Sequence, residues 1–172
     1  MADLCAQVSA LPAGLCGVVY RHDDTPERAQ LGLALARLCR ARRIRLVVAG
    51  DARLAARLGA GVHLRGGRWP GSVRCARGFC TASAHSQPEL ARARRMGARV
   101  IFLSPVFATR SHPGAPGLGA YGFRRLARAA PGHVACALGG VNGANVRRLG
   151  KACRGVGAIE ALLETRGPTQ AR

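Results

Sequence analysis

Short apolar runs alternate with Ala/Leu/Arg-rich helical stretches along almost the whole chain, and this alternation restricts the fold more than any other feature. Leu15 to Tyr20, Arg45 to Ala49, Gly61 to Leu64, Phe79 to Ser83, Val100 to Leu103, Val134 to Leu138 and Gly155 to Ile159 read as strands of the buried, continuously apolar type. Helices are expected between them. Thr25 and Pro26 carry an N-cap and first-position signal. Leu31, Leu35 and Leu38 form the inner face of that helix, with Arg28, Arg37 and Arg40 nearer the outside. Asp51 caps a helix running to Leu58 and stopped by Gly59. Ser86 and Glu89 form a capping box for a helix from Gln87 to Met96. Further helices are predicted over Tyr121 to Ala129, Asn142 to Leu149 and Glu160 to Glu164.

Seven strands alternating with helices imply parallel strands covered by helices. Two architectures compete: an open doubly wound sheet and a closed (β/α)8 TIM barrel. No G-x-G-x-x-G follows the first strand, which weighs against a dinucleotide-binding sheet. A chain of 172 residues is short for a barrel, which usually needs about 200 or more. Ala2 to Leu11 reads as a helix with Leu4, Val8 and Leu11 on one side. The chain therefore begins inside a helix, and the expectation is a barrel without its first strand. One domain over 1–172 is expected, with a core from about residue 14 to 163 and a tail at 165–172.

The net charge is +19, yet Lys151 is the only lysine among 27 basic residues. Such a charge suits nucleic acid, phosphate ligands or an anionic surface, while the arginine-, alanine- and glycine-rich composition with almost no lysine reads as the mark of a GC-rich gene. Aromatics are 4% and no nucleic-acid-binding motif is present, so no specific nucleic acid is expected. The seven cysteines have irregular spacing and no C-x-x-C. Most therefore read as small, buried, reduced residues. No apolar run suits a membrane span and no signal peptide is visible, so a cytoplasmic location is expected.

In parallel β/α folds chemistry sits at the carboxyl ends of the strands. Arg21, His22 and Asp23, Gly50 and Asp51, Arg65 to Arg68, Ser83 and His85, Ser104 to His112, Gly139, Gly140 and Asn142, and Ile159 with Glu160 all fall there. The loop from Ser104 to Gly119 carries hydroxyls at Thr109 and Ser111 and basic groups at Arg110 and His112, a set suited to a phosphate or diphosphate. Gly139-Gly140 serves either a backbone approach to a ligand or a tight turn with positive φ. Ser83 and His85 are a candidate acid/base or orienting pair. His63, inside its strand, reads as a satisfied barrel residue.

The segments GVVYRH (17–22), GVHL (61–64), TASAH (81–85), SPVFATRSHPGA (104–115), ALGGV (137–141) and GVGAIEAL (155–162) resemble the thiamine phosphate synthase/TenI superfamily. The resemblance implies a (β/α)8 barrel that joins a pyrimidine diphosphate to a thiazole phosphate, with Mg²⁺ and release of diphosphate. It places Thr109 and Ser111 in the diphosphate loop, Ser83 on the strand before a helix, and Gly139, Gly140 and Ile159 beside the thiazole phosphate. Arg21, Ser83, His85 and His112 are the implied catalytic set, and Thr109, Arg110 and Ser111 the phosphate-binding set.

Departures accompany the match. Val19 and Asp23 flank Arg21 where synthases carry Gln and Lys. Arg65 to Arg68 lacks the family's metal-binding acid, and Asp51 is left as the one metal-ligand candidate. His112 stands for a lysine and Glu160 for a serine. Mg²⁺ is thus expected with synthase activity and otherwise no cofactor. Two alternatives stay open: a catalytically degenerate relative that binds a phosphorylated metabolite or a partner, and a metal-independent thiazole tautomerase-like isomerase. Pro105 stands where those tautomerases place a histidine. The expected partner is a small phosphorylated metabolite, with no membrane and with a homodimer left open.

Overall fold

A computed structural model describes residues 2–23, 25–65, 78–109, 114 and 116–158. Seven strands form one parallel sheet in sequence order: β1 (Gly17–Tyr20), β2 (Arg45–Ala49), β3 (Gly61–Leu64), β4 (Cys80–Ala84), β5 (Val100–Leu103), β6 (Val134–Leu138) and β7 (Gly155–Gly157). The helices are α1 (Ala2–Ser9), α2 (Arg28–Ala41), α3 (Ala52–Leu58), α4 (Gln87–Arg95) and α5 (Gly119–Arg128), with a 3₁₀ helix over Val146–Ala152. Among the described residues no helix is long and apolar enough to cross a membrane.

Strand periodicity divides the side chains between two faces. Leu46 and Val48 of β2, Cys80, Ala82 and Ala84 of β4, Ile101 and Leu103 of β5, and Ala135 and Ala137 of β6 pack against the helices. The alternate residues Val47, His63, Thr81, Ser83, Phe102 and Cys136 point to the opposite, inner face. The sheet curls around that face. The Phe102 ring of β5 lies so close to Gly157, two strands away, that a methyl on that glycine would sit 3.3 Å from it. The core is thus a layer of helices on a curled sheet, in two apolar clusters centred on α2 and on α4 with α5.

The sequence anticipates seven strands, and seven form. The eighth strand of a closed barrel is not among the described residues, where β1 and β7 are the sheet's edges. Residues 2–9 are helical as expected, and Val8 is buried against α2. Asp51 caps α3 as expected, its Oδ1 accepting from Leu54 N at 2.9 Å, and Gly59 closes that helix at φ 61°.

Three local expectations need correction. Helix α2 begins at Arg28, and Thr25 makes only a turn with its carbonyl accepting from Arg28 N at 3.0 Å. Glu89 reaches back to His85 N at 2.7 Å, while Ser86 makes no reciprocal cap. The segment after β6 folds as a 3₁₀ helix rather than an α-helix, because Asn142 and Asn145 bond back to local backbone N–H groups and Gly150 takes φ 64°. The predicted helix at 160–164 and the strand residue Ile159 lie outside the described residues.

Cys39 and Cys136 are buried free thiols and Cys5, Cys16 and Cys153 are half-buried free thiols. Cys80 departs from the reduced expectation: it is disulfide-bonded.

Candidate active site at the carboxyl ends of the strands

The inner face carries a polar column directly beneath the strand ends. His63 of β3 sits opposite Thr81 of β4 in the parallel register. Its Nδ1 lies 2.8 Å from Thr81 Oγ1, and its Nε2 lies 3.2 Å from Ser83 Oγ, one pleat higher on β4. The Phe102 ring closes the side of the imidazole in an edge contact at 5.9 Å. His63 is 4% exposed and Thr81 3%, whereas Ser83 is half-buried at the open end. Burial, and then the guanidinium groups of Arg21 and Arg65, push the His63 pKa down to about 4. The ring is neutral at neutral pH, as a desolvated base beside cations must be.

Above this column His85 is held by the end of β5. Its Nδ1 contacts the Ser104 carbonyl oxygen at 2.7 Å. A carbonyl only accepts, so Nδ1 carries a proton and donates it in this bond. The long loop then crosses to β6: Val106 N donates to Leu138 O at 2.9 Å and Phe107 N to Gly139 O at 3.1 Å. Gly139 and Gly140, at φ 87° and 63°, receive this loop. A methyl on Gly140 would lie 2.3 Å from the Ala108 carbonyl oxygen. The turn therefore needs its two glycines for chain packing. Thr109 is half-buried where the described part of the loop ends. Arg148 stacks over the Phe107 ring at 5.6 Å.

A ladder of charges occupies the rim over β1 to β3. Arg28 bridges Asp23 and Asp51 at 3.1 Å each, and Arg65 pairs with the other oxygen of Asp23. Both guanidinium groups also reach the Ala49 carbonyl oxygen. Arg28 was expected on the outer face of its helix. It turns inward because α2 starts at Arg28 itself, which places a long side chain over the strand ends. Arg21 is exposed on the same rim, and His22 stacks on Tyr20 at 5.7 Å.

Among the described residues the rim does not fit a hard divalent cation. Oδ1 of Asp51 holds the α3 cap and Oδ2 holds Arg28, while the two oxygens of Asp23 hold Arg28 and Arg65. All four oxygens of these two carboxylates are engaged, and Mg²⁺ is usually bound through one or two carboxylates. Residues 65–77 contribute no acid to the sequence there. Among the described residues no three His, Cys, Asp or Glu side chains cluster.

Arg21, Asp51, Ser83, His85, Thr109, Gly139 and Gly140 are thus gathered at one end of the sheet. Arg110, Ser111, His112 and Ile159 lie outside the described residues. Sequence reasoning missed Arg28, Thr81 and Arg148. Thr81 carried a signal, since it is two residues before Ser83 and shares its face.

A family model described as thiamine monophosphate synthase matches residues 2–162. A thiamine-phosphate synthase of Herpetosiphon aurantiacus is 33% identical over 180 residues, covering 98% of this chain and 85% of that protein. Thiamine phosphate pyrophosphorylase from Pyrococcus furiosus superposes with a TM-score of 0.76 at 25% identity, covering 91% of this chain and 79% of the other. The thiamine phosphate pyrophosphorylase of Bacteroides thetaiotaomicron, at 19% identity and a TM-score of 0.61, shares the fold over 99% of this chain and 81% of its own.

Proposed function

Because the chain belongs to the thiamine monophosphate synthase family, we propose that it joins a pyrimidine diphosphate to a thiazole phosphate at the strand-end rim. The bond to the leaving diphosphate breaks with its electron pair, and an electron pair of the thiazole forms the new bond between the rings. One observation carries the placement of this chemistry. Ser83, His85 and the Thr109 loop come from β4 and β5 and meet the paired glycines of β6 at one end of the sheet.

In this reading Arg21, Thr109, Arg110, Ser111 and His112 hold the diphosphate, whose charge grows as the bond breaks. Ser83 donates a hydrogen bond to a substrate oxygen. His85, protonated on Nδ1, presents Nε2 to a polar hydrogen of the substrate. Gly139, Gly140 and Ile159 offer backbone to the thiazole phosphate. An eighth strand lying between β7 and β1 would close the sheet into the family's barrel. Mg²⁺ has no place in this account, since the donor set does not fit it and arginines stand over the rim carboxylates.

Purified protein supplied with both precursors is expected to release thiamine phosphate and diphosphate in equal amounts, read by chromatography and mass spectrometry. Excess EDTA is expected to leave the rate within about twofold, because guanidinium groups already neutralise Asp23 and Asp51. Ser83→Ala is expected to lower kcat/KM by roughly 10- to 100-fold. Tight binding of both precursors without product would overturn the transferase reading, and loss of all rate in EDTA would overturn the metal-free rim.

A further inference from the structure

We infer that Thr81, His63 and Ser83 form a one-way hydrogen-bond relay that fixes the direction of the Ser83 hydroxyl proton, making Thr81 and His63 positioning residues for substrate phosphate oxygens. This rests on the reading that Ser83 touches the substrate.

Three facts build the relay. The imidazole lies between the two hydroxyls, with one nitrogen at 2.8 Å from Thr81 Oγ1 and the other at 3.2 Å from Ser83 Oγ. Thr81 is 3% exposed, so no ligand reaches it. Arg21 and Arg65 lie near enough to act on the ring electrostatically, which opposes an imidazolium and leaves a single ring proton to be placed.

The ligand decides where that proton goes. Phosphate and diphosphate oxygens accept hydrogen bonds at neutral pH, so Ser83 must donate its one proton outward. Its oxygen must then accept from His63 Nε2–H. Nδ1 is left with a lone pair, and Thr81 O–H donates into it. Each link is used once: Thr81 to Nδ1, Nε2 to Ser83, Ser83 to substrate. In the opposite tautomer Ser83 would donate into the imidazole and offer lone pairs to an anion. A low local dielectric raises the cost of that mismatch.

Thr81→Val separates this role from a structural one, because it removes the hydroxyl at nearly constant volume. Its kcat/KM is expected to fall about 5- to 10-fold while its melting temperature shows a folded protein, and Thr81→Ser is expected to restore activity to within about twofold. In the Ser83→Ala background, Thr81→Val is expected to add no further loss. Nitrogen NMR of the His63 ring is expected to show Nε2 protonated and Nδ1 unprotonated in the wild type saturated with inorganic diphosphate. A protonated Nδ1 overturns the relay, as does a Thr81→Val enzyme with wild-type kinetics beside an impaired Ser83→Ala enzyme. If Ser83→Ala itself keeps full activity, the underlying contact with substrate is what fails, and the NMR tautomer still decides the relay.

Discussion

Replacing Gly140 by alanine is expected to destabilise the protein by about 3 kcal/mol and to abolish most of its activity. Two independent terms set this size. At φ +63° an L-residue carries a left-handed strain of about 1 kcal/mol. The new methyl would also lie 2.3 Å from Ala108 O and 2.9 Å from Phe107 Cβ. The first neighbour is backbone and cannot swing aside like the end of a flexible side chain. The loop must move instead, and moving it strains the ladder from Val106 to Leu138 and from Phe107 to Gly139. Because Thr109 continues that loop, loss of stability and loss of activity should appear together. Gly132→Ala is the matched control, since Gly132 has φ +79° and nothing within 4 Å of the added carbon. It should show only the backbone strain, about 1 kcal/mol by denaturant titration. Equal stability of the two variants would mean that the loop yields freely, and the pinned-loop account would be wrong.

The contrast between those glycines marks where sequence reasoning stops. Both sit at turns and both need positive φ, and a single sequence cannot say which one carries a second chain against it. The strands were readable because a buried parallel strand is written locally, in four or five consecutive apolar residues. Asp51 as the cap of α3 was readable for the same reason, since donor and acceptor are three residues apart. The site was less readable because its bonds are not local. His63 meets Thr81 and Ser83 over separations of 18 and 20 residues, which only the register of β3 on β4 brings together. Arg28 was misplaced because the Thr25-Pro26 signal starts the helix too early on paper. With α2 starting at Arg28, its side chain joins two carboxylates that sequence alone assigned to other work. The Asp51 metal reading illustrates this: the cap was visible, but the guanidinium that takes the other oxygen was not.

Acidification should test the buried imidazole directly. His63 has a folded-state pKa of about 4 against 6.5 in an unfolded chain. The unfolded chain therefore binds more protons between these values, and stability falls as pH falls through that window. Above pH 6.5 the ring is neutral in both states and adds no pH dependence. Below about pH 4 it is charged in both, and the loss is complete. Integrated over the window, the loss is about 3 kcal/mol, of the order that burial of a cation beside Arg21 and Arg65 requires. His63→Gln keeps a donor and an acceptor but does not titrate in this range. Its stability at pH 7 serves as its own reference, since only the slope matters. Denaturant titrations at intervals from pH 7 to pH 4 should then show the wild type losing about 3 kcal/mol more than the variant. Contributions from Asp23, Asp51 and the other acids cancel in that difference, because both proteins retain them. Parallel curves would mean that the ring takes up its proton in the folded protein as easily as in water. The imidazole would then not be sealed between Thr81, Ser83 and Phe102, and the hydroxyl direction argued from a neutral ring would lose its basis.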